Sequence, residues 1–130
     1  PAGSSCDEIT ATIDLLPTIA GLSGAEMPND RTIDGKDIWP LIAGKKGAQT
    51  PHEIYFFYKG NKLESARQGK WKLRRSGKKS QSVELYDLAS DISESKNLAK
   101  ENEILVNEMI NKMNLFDENL KKNQRPAGKL

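Results

Sequence analysis

Apolar positions recur along this chain with two different periods, and each predicts a different element. Near the N-terminus, Leu15, Leu16, Ile19, Ala20 and Leu22 follow Asp14, with Pro17 inside the first turn, which predicts a short N-capped helix. Gly21 and Gly24 are placed to end it. After a polar loop over residues 27–35, Asp37 is positioned to cap a second short helix through Ile38, Trp39, Pro40, Leu41 and Ile42, stopped by Gly44. The Gly-rich, basic residues 44–49 read as an exposed connector before Pro51.

The period then shortens to two. Residues 53–58 are nearly all apolar and aromatic, the composition of a central strand covered on both faces. Gly60 and Asn61, between Lys59 and Lys62, supply turn chemistry for a hairpin into residues 63–68. A second turn at Gly69 leads to Lys70, Trp71, Lys72, Leu73 and Arg74, where alternation points Trp71 and Leu73 inward and the cations outward. Residues 76–82 read as a polar loop, and Val83, Leu85 and Asp87 share one face of a fourth strand.

From Leu98 onward the period is helical. Leu105, Met109, Met113, Phe116 and Leu120 fall three or four residues apart, flanked by Val106 and Ile110. Burying that stripe contributes on the order of 10 kcal/mol before the entropy cost of ordering it, so the helix is expected to cover the sheet. The pattern predicts an α+β fold: a small antiparallel sheet of about four strands packed by a C-terminal helix and preceded by one or two short helices. Composition shifts near Gly44 and near Ser90, and the expected organisation is a helical segment over 1–48, a sheet-plus-helix subdomain over 49–120, and a tail over 121–130 expected to be disordered.

At 130 residues the chain has single-domain length. No apolar run approaches the roughly 20 residues of a membrane-spanning helix. Twenty basic and eighteen acidic residues leave a net charge of +2, too little for a general pull toward nucleic acid or membrane. Cys6 alone cannot form an internal disulfide, and with His52 it cannot build a Cys/His zinc site. The chain opens on Pro1, without an initiator methionine or a signal peptide, and is therefore expected to be a processed or excised piece.

Few residues offer chemistry. Arg67, Lys70, Lys72, Arg74, Arg75, Lys78 and Lys79 have no acid among them before Glu84, which fits either a solvated strand face or an anion site. Binding of single-stranded nucleic acid needs aromatics on the same face as the cations, and alternation puts Trp71 on the other. His52 has none of the usual partners of a general acid or base nearby in sequence, and reads as a strand-start surface or capping residue. Asp14, Asp30, Asp34 and Asp37 lack calcium-loop spacing and read as caps and turns. Cys6 has no cationic neighbour to activate it. Met109 and Met113 read as core filling.

The ordered segments resemble the C-terminal end of the arylsulfatase family. Pro1-Ala2-Gly3 is similar to the end of a Trp-Pro-Gly-x-Ile-Pro-Ala-Gly stretch, and residues 12–20 to the family's Asp-Leu-x-Pro-Thr helix. Residues 33–38 with Pro40-Leu41 resemble its Asp-Gly-x-Asp-Leu-x-Pro-Leu-Leu element, and residues 66–73 its Ala-Val-Arg-x-Gly-x-Trp-Lys-Leu strand pair. Residues 84–88, Asp91, Glu94 and Asn97-Leu98 resemble its Glu-Leu-Tyr-Asp-Leu and Asp-Pro-x-Glu-x-x-Asn-Leu. Ile92 departs from the pattern, standing where proline is usual.

The resemblance implies a parent that hydrolyses sulfate esters with a formylglycine and a calcium ion. It further implies that residues 1–48 close the parent's catalytic domain and that the chain's partners are that N-terminal domain and a sulfated small molecule or glycan. A periplasmic or secreted parent is expected. The chain itself carries no catalytic or metal residue on this reading: Cys6 is followed by Asp7-Glu8-Ile9-Thr10, so the Cys-x-Pro/Ala-x-Arg motif fails. Since Arg and Lys donate charge-assisted hydrogen bonds to sulfate oxygens, Tyr58, Lys59, Asn61, Arg67 and Arg74 are the candidates for substrate contact. The competing reading is a non-catalytic module that binds an acidic polymer, a sulfated glycan or nucleic acid, through a basic sheet face.

Overall fold

A computed structural model describes residues 2–76 and 82–124. The chain divides into two compact units, Pro1–Glu53 and Ile54–Leu130.

The N-terminal unit is built on a 3-10 turn, Thr12–Asp14, that runs directly into α1, Leu15–Ser23. Gly24, at a left-handed φ of 70°, ends α1 by donating its amide to the Ala20 carbonyl, so Gly21 lies inside the helix rather than at its stop. A second helix, α2, covers Trp39–Ile42. The N-cap residue is Ile38, and the Asp37 carboxylate before it accepts the Trp39 amide at 2.8 Å. Gly35 is buried where two backbone segments nearly touch: a Cβ there would stand 2.0 Å from the Ile13 carbonyl oxygen.

The C-terminal unit is a four-stranded antiparallel sheet in the order β1-β2-β3-β4. Its strands are β1 Tyr55–Lys59, β2 Lys62–Gln68, β3 Trp71–Ser76 and β4 Ser82–Asp87. Gly60 and Gly69, both at positive φ, close the two tight hairpins where the sequence placed them. The register aligns Phe56, Ala66, Leu73 and Leu85 across the sheet. Onto that row α3, Glu103–Lys122, lays Val106, Met109 and Met113, and Ala66, Leu73, Leu85, Met109 and Met113 are wholly removed from solvent. The two methionines are core filling, as the helical period implies.

One strand expectation is corrected. The apolar run at β1 suggested a central strand, yet β1 lies at the sheet edge, because two consecutive tight hairpins build a meander that leaves its first strand outside. Its aromatic content has another cause. Phe56 stacks on Phe116 of α3 at 4.1 Å, and on the opposite face Tyr55 and Phe57 meet edge to face at 5.0 Å. A bulge between Phe57 and Tyr58 leaves Glu64 of β2 unpaired and bends this edge.

Beyond β4 the chain is tied back to the sheet: the Leu98 amide reaches the Leu85 carbonyl, and the Asn97 side chain accepts the Leu85 amide. Within this loop Glu94 adopts φ 55°, a left-handed conformation rare for its type. Asp91 holds the segment by accepting the Ser95 and Lys96 amides, each at 2.8 Å.

Candidate functional site

Three features bear on function: the cation-rich sheet face, the β1–β2 hairpin tip, and a buried acid in the N-terminal unit. Pairing of Ser65 with Arg74 and of Arg67 with Lys72 puts these side chains on the face opposite α3. Trp71 packs against the core on the other face, as alternation predicts.

Three of the described sheet cations pair with carboxylates across strands and loops, and two more donate to neutral oxygens. Arg74 donates through Nε and Nη2 to Glu84 at 2.8 and 2.6 Å, directly opposite on β4. That bond, reinforced by the Tyr86 hydroxyl, keeps the Glu84 carboxyl below its ordinary range despite the opposing effect of burial. Lys70 binds Asp87 at 2.6 Å and Lys72 binds Glu94. Arg75 donates to Asn114 of α3, and Arg67 to the Gly69 carbonyl. Lys78 and Lys79 lie outside the described residues. The absence of acids near these cations in sequence thus hides partners that the fold supplies from β4 and the following loop.

Tyr58 sits on the α3 side of the sheet. Its hydroxyl donates to Asp117 at 3.0 Å, and burial, then this bond, push its pKa up to about 12, so it remains a neutral phenol. The hairpin tip differs. Lys59, Asn61 and Lys62 are exposed and hold no ion pair or side-chain hydrogen bond to another described residue. The structure therefore groups Lys59 with Asn61 at the tip and Arg67 with Arg74 on one sheet face, and holds Tyr58 apart against α3.

Sequence reasoning missed the buried acid. Asp14 stands at the N-cap position of α1 as expected, but its carboxylate makes no capping bond; it is buried, and His52, read as a strand-start surface or capping residue, is buried beside it, with Nε2 donating to Asp14 Oδ1 at 2.8 Å. Asp14 also accepts the Ala11 and Lys36 amides at 2.8 and 2.9 Å. Burial alone would raise its pKa, but the two amides and His52 together hold it below the ordinary value. Thr18 completes the hub by donating to the Asp14 carbonyl and accepting the Ile38 amide. The hub fastens α1 to the segments that carry Lys36, Ile38 and His52. The partners stand 22 and 38 residues from Asp14, and a local pattern carries no signal of such a contact.

Cys6 is exposed, and among the described residues no group of three or more His, Cys, Asp or Glu could hold a metal ion. No described helix is long and apolar enough to cross a membrane.

Human steryl-sulfatase is 44% identical over 66 residues, which cover 51% of this chain and 11% of the relative. Human arylsulfatase D is 42% identical over 77 residues, 59% of this chain and 12% of the relative. The crystal structure of Ps i-CgsB in complex with k-i-k-neocarrahexaose superposes with a TM-score of 0.75 at 26% identity, covering 98% of this chain and 28% of that one. The chain thus spans about a tenth of its curated relatives and about a quarter of that structure. Residues 1–123 match the family described as N-sulphoglucosamine sulphohydrolase, C-terminal, with the ordered motifs and the four-stranded sheet under a C-terminal helix in agreement, and the chain belongs to that family of sulfatase C-terminal domains.

Proposed function

We propose that this chain serves a sulfuric ester hydrolase, packs on its N-terminal catalytic domain, and lines the cleft that receives a sulfated small molecule or glycan. The family match over residues 1–123 supports the parent chemistry. The formylglycine and calcium expected of such a parent do not fit this chain: the sequence after Cys6 lacks the modification motif, and the described carboxylates do not cluster as ligands. Residues outside the chain carry the hydrolysis in this proposal, and the chain's own residues bind and orient.

The hairpin tip carries the substrate-contact reading, because Lys59 and Asn61 are exposed donors with no described partner to displace. An ammonium and a carboxamide together donate to the oxygens of a sulfate without first breaking an ion pair. An anion approaching Arg74 has to compete with Glu84, and one approaching Arg67 with the Gly69 carbonyl, so those two act as a secondary positive field. Tyr58 supports the tip from behind by anchoring β1 to α3 through Asp117. The same pairing of cations, with Trp71 on the core side, disfavours an acidic-polymer module.

In the full-length protein that contains this chain, Lys59→Ala combined with Asn61→Ala is expected to raise KM for a sulfated substrate about 10-fold, with kcat within about 2-fold of the parent, as loss of charge-assisted binding contacts requires. Steady-state kinetics with a sulfated disaccharide and an aryl sulfate measures this. Unchanged KM on both substrates overturns the tip's role.

A further inference from the structure

Strand β1 carries a second pattern on the sheet face opposite α3. Alternation puts Tyr55, Phe57 and Lys59 there, in a row about 13 Å long at the rise of an antiparallel strand. Phe57 is 39% exposed and Tyr55 half-buried, and the two rings meet edge to face, with 5.0 Å between centroids and 71° between planes. Arg67, the register partner of Tyr55 on β2, brings a guanidinium to the far end. The row thus runs from a cation at the hairpin tip, over two aromatic rings, to a second cation. Further across the same face, Lys72 and Arg74 are committed to Glu94 and Glu84.

We infer that this row is a saccharide track: Lys59 holds a sulfate at the tip, Phe57 and Tyr55 stack on the ring of the next sugar, and Arg67 takes a second sulfate beyond it. The inference rests on the tip reading above and deepens it, from a single sulfate group to a sulfated oligosaccharide. One face of a pyranose ring presents C–H bonds, whose positive ends match the negative face of an aromatic ring. Two rings set at 71° form a corner, so a sugar lying on one of them meets the edge of the other. The rings make the contact with the sugar that an ammonium cannot, and the cations make the charge-assisted bonds to sulfate that a phenyl ring cannot. Nucleic acid matches the row less well. It carries a phosphate at every nucleotide and calls for a groove with cations along its whole length. Here the cations stand at the two ends, with only aromatic side chains between them on β1.

The test uses the full-length protein that contains this chain and two probes, sulfated maltohexaose and glucose 6-sulfate, with Kd read by calorimetry. Phe57→Ala is expected to weaken the hexasaccharide about 5-fold and the monosaccharide by less than about 2-fold, the size of one aromatic stacking contact. Phe57→Tyr keeps the ring and is expected to bind both probes as the unsubstituted protein does. Arg67→Ala is expected to weaken the sulfated hexasaccharide to a similar extent. That loss disappears with unsulfated maltohexaose, whereas the loss from Phe57→Ala persists. Should Phe57→Ala fail to fold, Phe57→Leu, which keeps the bulk without the ring, takes its place with the same expectation. No change on either probe, or an equal loss on both, overturns the inference. So does a single-stranded thymidine oligonucleotide that displaces the sulfated hexasaccharide at a lower concentration than maltohexaose does, which would assign the row to nucleic acid. Lys59→Ala with Asn61→Ala keeps the two readings apart. If the tip reading fails, that variant weakens neither probe; if only the row fails, it weakens both while Phe57→Ala weakens neither.

Discussion

Asp14→Ala is expected to destabilise the N-terminal unit by ~3–5 kcal/mol, the cost of leaving several buried hydrogen-bonding groups unsatisfied at about 1–3 kcal/mol each. The substitution strands two amides, of Ala11 and Lys36, and removes the carboxylate that accepts from His52 Nε2. Asp14→Asn keeps an oxygen for part of the network and is expected to cost less. The pH dependence follows from the direction of the shift. The Asp14 pKa is lower folded than the ordinary 3.8, so its stabilisation is fully present above about 3.8 and is lost as pH falls through the lower folded value. Denaturant unfolding of wild type and variant between pH 2 and 7, read on hydrogen exchange of the amides in residues 11–18, measures both effects. A cost below about 1 kcal/mol at neutral pH would show that the hub does not hold the unit together.

Gly35→Ala is expected to cost at least ~3 kcal/mol, the upper part of the range for overpacked sites. The added methyl would lie 2.0 Å from the Ile13 oxygen, 2.7 Å from its carbonyl carbon and 3.3 Å from the Asp14 nitrogen. All three are backbone atoms, so no rotamer change relieves the contact and the segment itself has to retreat. Retreat withdraws the Lys36 amide from Asp14, and the two substitutions therefore act on one contact. Their combined cost is expected to fall short of the sum by 1 kcal/mol or more, in the range seen for coupled neighbours. A double-mutant cycle in the same unfolding assay checks this, and strict additivity would separate the glycine from the hub.

The parts of the fold legible in sequence are those with a short period. Alternation through Trp71 and Leu73 gave the inward and outward faces of β3, Gly60 and Gly69 gave both hairpins, and the spacing of Leu105, Met109 and Met113 gave α3 and its buried side. Each depends on residues within one element or one turn. Position in the sheet was not legible, because the composition of β1 reflects the aromatic partners it meets on each face rather than its neighbours in the ladder.

The candidate site was legible in part. The hairpin tip could be picked out because its cations flank a turn. The pairing of Lys72 with Glu94 and of Lys70 with Asp87 spans 22 and 17 residues, and so cations that look unaccompanied in sequence are neutral pairs in the fold. The Asp14–His52 contact was invisible for the same reason. The leucines and isoleucines of α1 predicted a helix, and in the structure they lie on a face that the N-terminal unit leaves exposed.

In the proposed function, the parent of this domain cleaves sulfate esters and the residues performing the cleavage lie outside the domain. Sulfate release, followed by ion chromatography, tests it on two proteins: the full-length protein, and a chain limited to residues 1–130. Turnover of a sulfated saccharide or an aryl sulfate is expected from the first and none from the second. Release of sulfate by residues 1–130 alone, or none by the full-length protein on any sulfated substrate, would contradict it.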